Sequence, residues 1–371
     1  SDRRRSMVVL GGVICHLLLI PPWVFCTVLP CVATAMLLQR AQLAVLVVQV
    51  VLSTLAYKKP QIGVPVALVS SAISYAMYLG GDTVGFAGSF IYSAMQWINW
   101  GVTFPYVPAF TRLIFGLDMS SYYKKCELRG ALDRMGRSRT LYLFHPHGVI
   151  TVGFSTNGVW SREFNERTTE LEAGPPGGGS PWRGCIFLIA KALREPSLLF
   201  KVVCDVSGRL ESATRENIVA LMRRGRNLAI IPGGFEDATL YEYGKHRTAM
   251  SGRKGLVKYA LQHGYAVTPV YTFGENRTYS AFSGLLRLRL WINSFQLPAV
   301  AFFGDWRCPL FPRIDSECLS FVGPPLQLPC VPEPTSEQVA EWHAKYLLAL
   351  RQLFDASKAE AGEPDAKLEI W

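Results

Sequence analysis

The first part of the chain consists of long uncharged stretches that are separated by single charged positions. The ionised side chains between residues 7 and 111 are Arg40, Lys58, Lys59 and Asp82. They divide the region into four apolar blocks, Met7–Leu38, Ala41–Tyr57, Ile62–Gly81 and Thr83–Thr111. About 20 apolar residues suffice for a helix to cross a bilayer. A cleaved signal peptide would instead have one short apolar core followed by polar chain, so the pattern predicts a membrane-embedded region.

Lysine and arginine indicate how this region is oriented. They gather before the first block at Arg3–Arg5, between the second and third at Lys58-Lys59, and after the last from Arg112 onward. Cytosolic segments next to a membrane are enriched in these residues. We therefore predict two transmembrane hairpins whose far turns lie near Arg40 and Asp82.

The same pattern divides the chain into two domains. Residues 1–111 are predicted to form an N-terminal membrane-embedded hairpin region, and residues 112–371 a domain that faces the cytosol. One alternative stays open, because Ile62–Thr111 is rich in Gly, Ser and aromatic residues. That stretch could lie re-entrant or at the membrane interface.

From Thr140 onward, short apolar runs alternate with amphipathic helical patterns. The runs are typical of buried strands, and they are Thr140–Phe144, Cys185–Ala190, Leu228–Ile231 and Ala266–Tyr271. The helical patterns are Glu211–Arg224, which Ser212 or Thr214 could cap and Gly225 ends, and Arg253–His263, which Gly264 ends. This alternation predicts an α/β fold with a sheet between helical layers.

Two further segments complete the outline of the domain. Ala173–Pro181 is rich in Gly and Pro without following a strand, so we predict an insertion loop there, not a phosphate cradle. Near the C-terminus, Thr335 and Gln338 form a capping box. The helix that follows has one apolar face, made of Val339, Trp342, Tyr346, Leu347, Leu350 and Phe354. We expect this helix to dock on the domain, with membrane-surface binding as the alternative.

Two histidines follow the first predicted strand. His145 and His147, in the sequence His-Pro-His-Gly, lie where a strand end meets a loop, the usual position of ligands in α/β sheets. An imidazole, whose pKa is about 6.5, can accept and return a proton near neutral pH. Gly148 would let a substrate approach the main chain closely. Taken alone, the pair could also be structural or bind a metal, but no cluster of further ligands accompanies it.

A second candidate element is the turn that ends the strand Leu228–Ile231. The backbone N–H groups of Gly233 and Gly234 could stabilise a developing oxyanion. Glu236 could orient a catalytic histidine and stabilise its protonated form. Its alternative role is that of a surface carboxylate in a turn.

Two more positions suggest contacts with an anionic substrate. Arg253 and Lys254 open a predicted helix, and two cations at a helix N-terminus would suit the phosphates of coenzyme A. Asn276 belongs to a group of polar residues that follows the strand Ala266–Tyr271. We expect its side chain to be free to serve the site.

Composition narrows the classes of function. The formal charge of +10 suits nucleic acid, an anionic membrane surface or an anionic substrate. Nucleic acid is the weakest of these, because no recognition-helix, zinc-finger or aromatic-basic pattern accompanies the charge. The nine cysteines show no paired spacing and predict buried thiols in a reducing compartment. A serine hydrolase would lack its nucleophile turn, since the chain has no Gly-x-Ser-x-Gly sequence.

The order of these motifs carries a resemblance to a known family. HPHG, PGGFE, RKGLVKYALQHG and FGEN occur in that order, followed by FVGPPLQLP and the terminal HAKYLLALRQLFDASK. Over roughly residues 100–371 the chain resembles the diacylglycerol acyltransferase type 2 family, which includes monoacylglycerol and wax-alcohol acyltransferases. The resemblance implies a glycerolipid-acyltransferase-like mixed sheet flanked by helices. It also implies that His145 and His147 form the active site.

The expected activity follows from that resemblance. It implies acyl transfer from acyl-CoA to diacylglycerol, with no cofactor, by an integral protein of the endoplasmic reticulum membrane or the lipid droplet surface. Monoacylglycerol or a fatty alcohol is the alternative acceptor, and a lipid esterase or a non-catalytic lipid-binding scaffold are alternatives of another class. The expected partners are acyl-CoA, the neutral lipid acceptor and the bilayer, and a homo-oligomer is left open.

Two departures from related patterns matter. More distant glycerolipid acyltransferases pair a histidine with an aspartate a few residues on, whereas Val149–Phe154 offers no acid. A carboxylate partner for His147 must therefore come from elsewhere, and Glu236 is the first candidate. The family shows one N-terminal hairpin, whereas this chain has apolar sequence enough for two.

Overall fold

The computed structural model describes residues 29–58, 62–103, 119–169, 184–194, 204, 209–295 and 299–371. The chain divides into a helical unit within Leu17–Gly116 and an α/β unit formed mainly by Leu117–Lys191 and Gly208–Trp371. Three sequence features lie outside the described residues: the arginines Arg3–Arg5, the boundary predicted between residues 111 and 112, and the insertion loop predicted at Ala173–Pro181.

The helical unit contains two pairs of helices joined by short turns. Its helices are α1 (residues 29–39), α2 (Leu43–Lys58), α3 (Gly63–Leu79) and α4 (Thr83–Thr103). Arg40 lies in the turn between α1 and α2, and Asp82 in the turn between α3 and α4. The Nε atom of Arg40 is 3.4 Å from Oδ1 of Asp82. This ion pair places the two turns side by side.

Both polar and apolar side chains are buried in this unit: a hydrogen-bonded group around Gln49 lies in the interior together with an apolar cluster that includes Leu37 and Tyr92. Gln49 is fully buried; its amide donates to Ser89 Oγ (2.7 Å), and its carbonyl oxygen accepts from Ser70 Oγ (2.5 Å). The exposed large side chains of α2 to α4 are Leu43, Val47, Val48, Val50, Val51, Leu55, Leu68, Val69, Tyr75, Tyr78, Leu79 and Phe90. No helix within the described residues combines the length and the apolarity that a membrane crossing requires.

The α/β unit is built on an eight-stranded mixed sheet. Its strands are β1 (Lys125–Gly130), β2 (Thr140–His145), β3 (Ile186–Ile189), β4 (Leu210–Ser212), β5 (Leu228–Ile230), β7 (Ala266–Phe273), β10 (Glu317–Val322) and β11 (Leu326–Gln327). The order across the sheet is β1-β10-β7-β2-β5-β3-β4, and β11 pairs with β7. Strands β7, β2, β5, β3 and β4 run parallel, while β10 runs antiparallel to β7. The carboxyl ends of the parallel strands therefore lie along one edge.

Helices and two small sheets complete the unit. The helices are α5 (Val152–Phe154), α6 (Arg162–Thr168), α7 (Lys191–Arg194), α8 (Arg215–Arg223), α9 (Gly234–Leu240), α10 (Gly255–His263), α11 (Leu286–Asn293) and α12 (Ser336–Ser357). Short 3₁₀ turns span Met119–Tyr122, Leu132–Arg134 and Glu275–Arg277. Strand β6 (His246–Thr248) pairs with β12 (Leu368–Ile370), and β8 (Ser280–Ala281) with β9 (Phe302–Phe303).

Strand β2 is buried on both faces. Leu141 and Leu143 pack into the core that α8, α10 and α12 form on one side of the sheet. On the other side, the ring of Tyr142 is 5.1 Å from Phe164 and that of Phe144 is 5.4 Å from Phe154. A strand covered on both faces by helices has no polar alternation, which explains the continuous apolar run before His145.

The predicted strands and the mixed sheet flanked by helices agree with this structure, and only the ends of some elements differ. The predicted helix Glu211–Arg224 begins late, since Glu211 and Ser212 belong to strand β4. Of the two candidate caps, Thr214 is the N-cap, with its side chain accepting from Asn217 N–H. The helix predicted from Arg253 begins at Gly255. The capping box of Thr335 and Gln338 is confirmed, and α12 docks on the sheet as expected.

We expect Leu143→Ala to destabilise the α/β unit. The side chain is fully buried, and removing such a leucine leaves a cavity that costs about 2–5 kcal/mol. The measurement is the thermal unfolding midpoint of the full chain in detergent. Leu348→Ala on α12 is the control, because Leu348 is 56% exposed. Equal midpoints for the two variants would contradict the packing described for β2.

Candidate active site

His145, the last residue of β2, is fully buried between two hydroxyl groups. Its Nδ1 atom is 2.8 Å from Thr248 Oγ1, and its Nε2 atom is 2.8 Å from the hydroxyl of Tyr346 on α12. Burial lowers the pKa of His145 to about 3. The ring is therefore neutral at physiological pH, and both of its nitrogens are engaged.

His147 lies two residues further, in a half-buried position on the loop. Its Nδ1 atom is 3.0 Å from the carbonyl oxygen of Gly148. A carbonyl oxygen can only accept, so Nδ1 carries the proton, and the Nε2 atom of the neutral ring keeps a lone pair. Within the described residues, Nε2 has no hydrogen-bond partner. Burial lowers the pKa of His147, against the opposing effect of the bond to Gly148, which favours the neutral form that can act as a base.

A buried carboxylate, Asp237, holds this loop in place. Its Oδ2 atom accepts from the main-chain N–H of His147 (3.3 Å) and from the hydroxyl of Thr248 (3.3 Å). Its Oδ1 atom accepts from the N–H of Ala249. Burial raises the pKa of Asp237 to about 6, and the hydrogen bonds from Ala249, His147 and Thr248 oppose that effect.

The hydrogen-bond directions around His145 follow from Asp237. An ionised carboxylate can only accept, so Thr248 uses its one proton to donate to Asp237. Thr248 Oγ1 must then accept from His145 Nδ1–H, and His145 Nε2 accepts from the hydroxyl of Tyr346. A chain of hydrogen bonds thus joins the C-terminal helix to the carboxylate through His145. Both ring nitrogens of His145, predicted from the sequence as a site residue, are therefore occupied by this chain of hydrogen bonds.

Glu236 lies elsewhere than the sequence suggested. Its Oε2 atom is 2.7 Å from Nη2 of Arg253, and the Glu236 side chain is 38% exposed. It forms no hydrogen bond with the ring of His145 or His147 among the described residues. Successive helical residues point about 100° apart, and in α9 it is the next residue, Asp237, that faces the histidine loop.

The glycines of the second motif lie beside this contact. Gly233 is the N-cap of α9, and Gly234 has a φ of 52°. A Cβ atom at Gly233 would collide with the carboxyl group of Asp237. Glu236 N–H and Asp237 N–H both donate to Gly233 O at the start of α9, and the contact from Asp237 to His147 brings this start close to the histidine loop.

The loop after His147 is fixed by a second buried carboxylate, Glu275. Its Oε1 atom accepts from Val152 N–H (2.8 Å) and its Oε2 atom from Gly153 N–H (2.6 Å). Burial raises the pKa of Glu275 to about 8, and these two hydrogen bonds oppose the rise. Gly148 has a φ of 65°, and a Cβ there would collide with the Glu275 side chain, so only glycine fits.

The remaining predicted residues differ in accessibility. Arg253 and Lys254 are exposed at the start of α10, where Lys254 is the N-cap. Asn276 is 2% exposed, and its Nδ2 atom is 3.3 Å from Nε2 of the buried His246. Its side chain therefore lies in the interior and is not free for substrate. The described residues include no group of three or more His, Cys, Asp and Glu side chains that could hold a metal ion.

Comparison with known proteins places this site in a family. The family model for diacylglycerol acyltransferase matches residues 132–371. The chain belongs to the diacylglycerol acyltransferase family. The matched region includes both histidines, Asp237 and Glu275, so the resemblance seen in the order of the motifs is confirmed.

Individual relatives in this family are moderately similar. The chain is 27% identical over 62% of its length to diacylglycerol O-acyltransferase 2 of Bos taurus, and 26% identical over 62% to that of Homo sapiens. It is 30% identical over 59% of its length to 2-acylglycerol O-acyltransferase 3 of Homo sapiens. The matches span 63%, 59% and 64% of these relatives' own lengths. No solved structure matches the chain.

Sequence reasoning missed Asp237 and Glu275. The helix itself does not distinguish Asp237 from Glu236, because the buried Leu240 lies three residues after Asp237 and four after Glu236, and both spacings place residues on one helix face. Glu275 has no local signal either, because its partners lie more than a hundred residues earlier in the chain.

Asp237 and Glu236 can be separated by substitution. We expect Asp237→Asn to lower acyl transfer at least about 100-fold, since an amide cannot accept from all three donors and leaves a buried N–H unpaired. Glu236→Gln should change the rate less than about threefold, because an exposed ion pair contributes little. The measurement is the single-turnover rate of the full chain, with the thermal midpoint as a check on folding. The opposite ranking would restore Glu236 as the partner of the histidines.

Proposed function

We propose that this protein transfers a fatty acyl group from acyl-CoA to the free hydroxyl of diacylglycerol, forming triacylglycerol. The observation that carries the proposal is the ring of His147, whose Nδ1 is bonded to Gly148 O while Nε2 stays available. Family membership supplies the reaction class. The names of the relatives with diacylglycerol acceptors support the choice of substrate.

In the proposed mechanism, Nε2 of His147 removes the proton of the acceptor hydroxyl as its oxygen attacks the thioester carbonyl carbon. The N–H groups of Gly148, Gly233 and Gly234 stabilise the oxyanion of the tetrahedral intermediate. The carbon–sulfur bond then breaks, and the coenzyme A thiolate takes the proton from the imidazolium. The products are an ester and free coenzyme A. No covalent enzyme intermediate and no cofactor are needed, because acyl-CoA is a substrate.

The other site residues have supporting roles in this proposal. Asp237 and Glu275 hold the loop on both sides of His147, and His145 connects that loop to α12. The exposed cations Arg253 and Lys254 bind phosphates of coenzyme A at the start of α10. When Glu236 pairs with Arg253, it orients this guanidinium at the mouth of the anion site.

We infer that the helical unit is embedded in a membrane as two hairpins. Its support is the combination of buried polar side chains such as Gln49 and Ser70 with many exposed leucine and valine side chains, which suits an apolar solvent. The Lys and Arg pattern favours a cytosolic α/β unit, where acyl-CoA is available. The resemblance to the family favours the endoplasmic reticulum membrane or the lipid droplet surface.

One relative favours a second acceptor. The 30% identity to a 2-acylglycerol O-acyltransferase makes monoacylglycerol the next candidate after diacylglycerol. The purified full chain, given labelled oleoyl-CoA with diacylglycerol, monoacylglycerol and fatty alcohol in parallel, decides between them. We expect triacylglycerol as the main product. Hydrolysis of glyceride without consumption of acyl-CoA would indicate an esterase, and binding without turnover a scaffold.

Substitution and pH test the base. We expect His147→Asn to lower the transfer rate about 10²–10⁴-fold, since the amide can still donate to Gly148 O but offers no basic nitrogen. Acyl-CoA binding, measured by equilibrium dialysis, should be retained.

The pH profile of the unsubstituted protein should show the shifted histidine. Because burial lowers the pKa of His147, the base stays neutral as pH falls through about 6.5, the usual value for histidine. The acid limb of the transfer rate should therefore lie below that pH. An acid limb above it, or near-normal turnover in His147→Asn, would remove this histidine from the proposed role.

A further inference from the structure

The α/β unit has an exposed apolar surface outside the candidate active site. The segment that contains β8, α11 and β9 has six large side chains that are 47–67% exposed: Phe282, Leu285, Leu288, Trp291, Phe295 and Phe303. We call this set the aromatic patch. Single exposed apolar residues are ordinary, whereas a group of this kind marks an interaction site.

Helix α11 has the opposite distribution of buried and exposed side chains from an ordinary surface helix. Its buried residue is an arginine: Arg289 is 6% exposed and donates from Nε to Ala299 O (2.8 Å) and from Nη2 to Thr239 O. Its exposed face holds Leu288 and Trp291 at a spacing of three residues. The ring of Trp291 packs 5.0 Å from that of Phe295 in an edge-on contact. In this helix the arginine Arg289 therefore hydrogen-bonds in the interior, while the apolar side chains of Leu288 and Trp291 are exposed to the outside.

The antiparallel strands β8 and β9, which precede and follow α11, extend the patch. Ser280 pairs with Phe303, and Phe282, two residues after Ser280, points to the same face because side chains alternate along a strand. Just after β9, Trp306 is 76% exposed, and the guanidinium of Arg307 lies 5.3 Å from its ring centroid. Tryptophan with a neighbouring cation is typical of side chains at the boundary between head groups and acyl chains.

The charged side chains of the segment between residues 278 and 304 have one sign. Between residues 278 and 304 the charged residues are Arg287, which is exposed, and the inward-facing Arg289. The next carboxylate, Asp305, is 8% exposed and accepts from the N–H groups of Arg307 (2.9 Å) and Ile314 (3.5 Å). Exposed arginine without exposed carboxylate favours a surface of anionic phospholipids.

We propose that the aromatic patch inserts into the surface of a phospholipid bilayer and holds the active site against it. Arg289 connects the patch to the candidate site, because it donates a hydrogen bond from α11 to Thr239 O of α9, the helix that carries Asp237. Helix α9 therefore contacts both α11, which would bind the lipid surface, and the loop that carries His147. The lipid contact is independent of the proposed activity, whereas its effect on catalysis rests on the proposed function.

Photo-cross-linking in the full chain tests the contact itself. A photoactivatable benzoylphenylalanine replaces Trp291 in one variant and Leu348 in a control, an α12 residue that is 56% exposed. Both are reconstituted in vesicles of phosphatidylcholine and phosphatidylserine that contain labelled phospholipid. We expect at least about fivefold more labelled adduct at position 291, as insertion below the head groups requires. Equal labelling, or adducts to a second copy of the chain or another protein, would overturn the proposal.

A kinetic measurement tests the consequence. We expect the triple variant Leu288→Ser, Trp291→Ser, Phe295→Ser to lose about tenfold or more in transfer to long-chain diacylglycerol in vesicles, since insertion scales with apolar area. Transfer to a dispersed short-chain acceptor should be unchanged, as it should be in Leu348→Ser with both acceptors. An equal loss with both acceptors in the triple variant would contradict a lipid-surface role. Inactivity of the unsubstituted protein toward every acceptor would count against the proposed function and leave the cross-linking result valid.

Discussion

The buried carboxylate of Asp237 is the constraint on which the arrangement of the candidate site depends. It joins the neighbouring segments α9 and β6 to a distant one, because it belongs to α9 and accepts from Thr248 and Ala249 at the end of β6 and from His147 after β2, 90 residues earlier. A buried charge without such donors would be costly, so the loop and the helix are stable in this form only together. Asp237 therefore holds His147 through its main-chain N–H, and the ring is left to bond Gly148 and, in the proposed mechanism, to contact substrate.

The sequence predicts the histidine loop of this site but not its two buried acidic residues, and the reasons are physical. Strand β2 and the His-Pro-His-Gly loop after it can be predicted from the sequence, because a strand buried on both faces is continuously apolar and its end is therefore easy to locate. The choice between Glu236 and Asp237 depends on the rotation of α9, which a few residues of turn determine and which a motif does not show. Glu275 contacts Val152 only because β7 pairs with β2 in the sheet, and strand order is a long-range property.

The distribution of side chains in both units suits the lipid acceptor that we propose. In the helical unit, hydrogen bonds among the buried Gln49, Ser70 and Ser89 lie beside a small apolar cluster, and many leucine and valine side chains are exposed. In the α/β unit, the core is apolar in the ordinary way, but α11 reverses the pattern locally, with Arg289 inside and Trp291 outside. A long-chain acceptor dissolves in lipid and acyl-CoA in water, so an acyltransferase that uses both needs surfaces suited to each.

The most direct test of the account is a cryo-electron microscopy structure of the full chain with a non-transferable acyl-CoA analogue and diacylglycerol. The account predicts the acceptor hydroxyl within about 3.2 Å of Nε2 of His147, with the bond from Nδ1 to Gly148 O retained and Asp237 still bound to the His147 N–H. A hydroxyl held by another group, with His147 turned away from the thioester carbon, would contradict it.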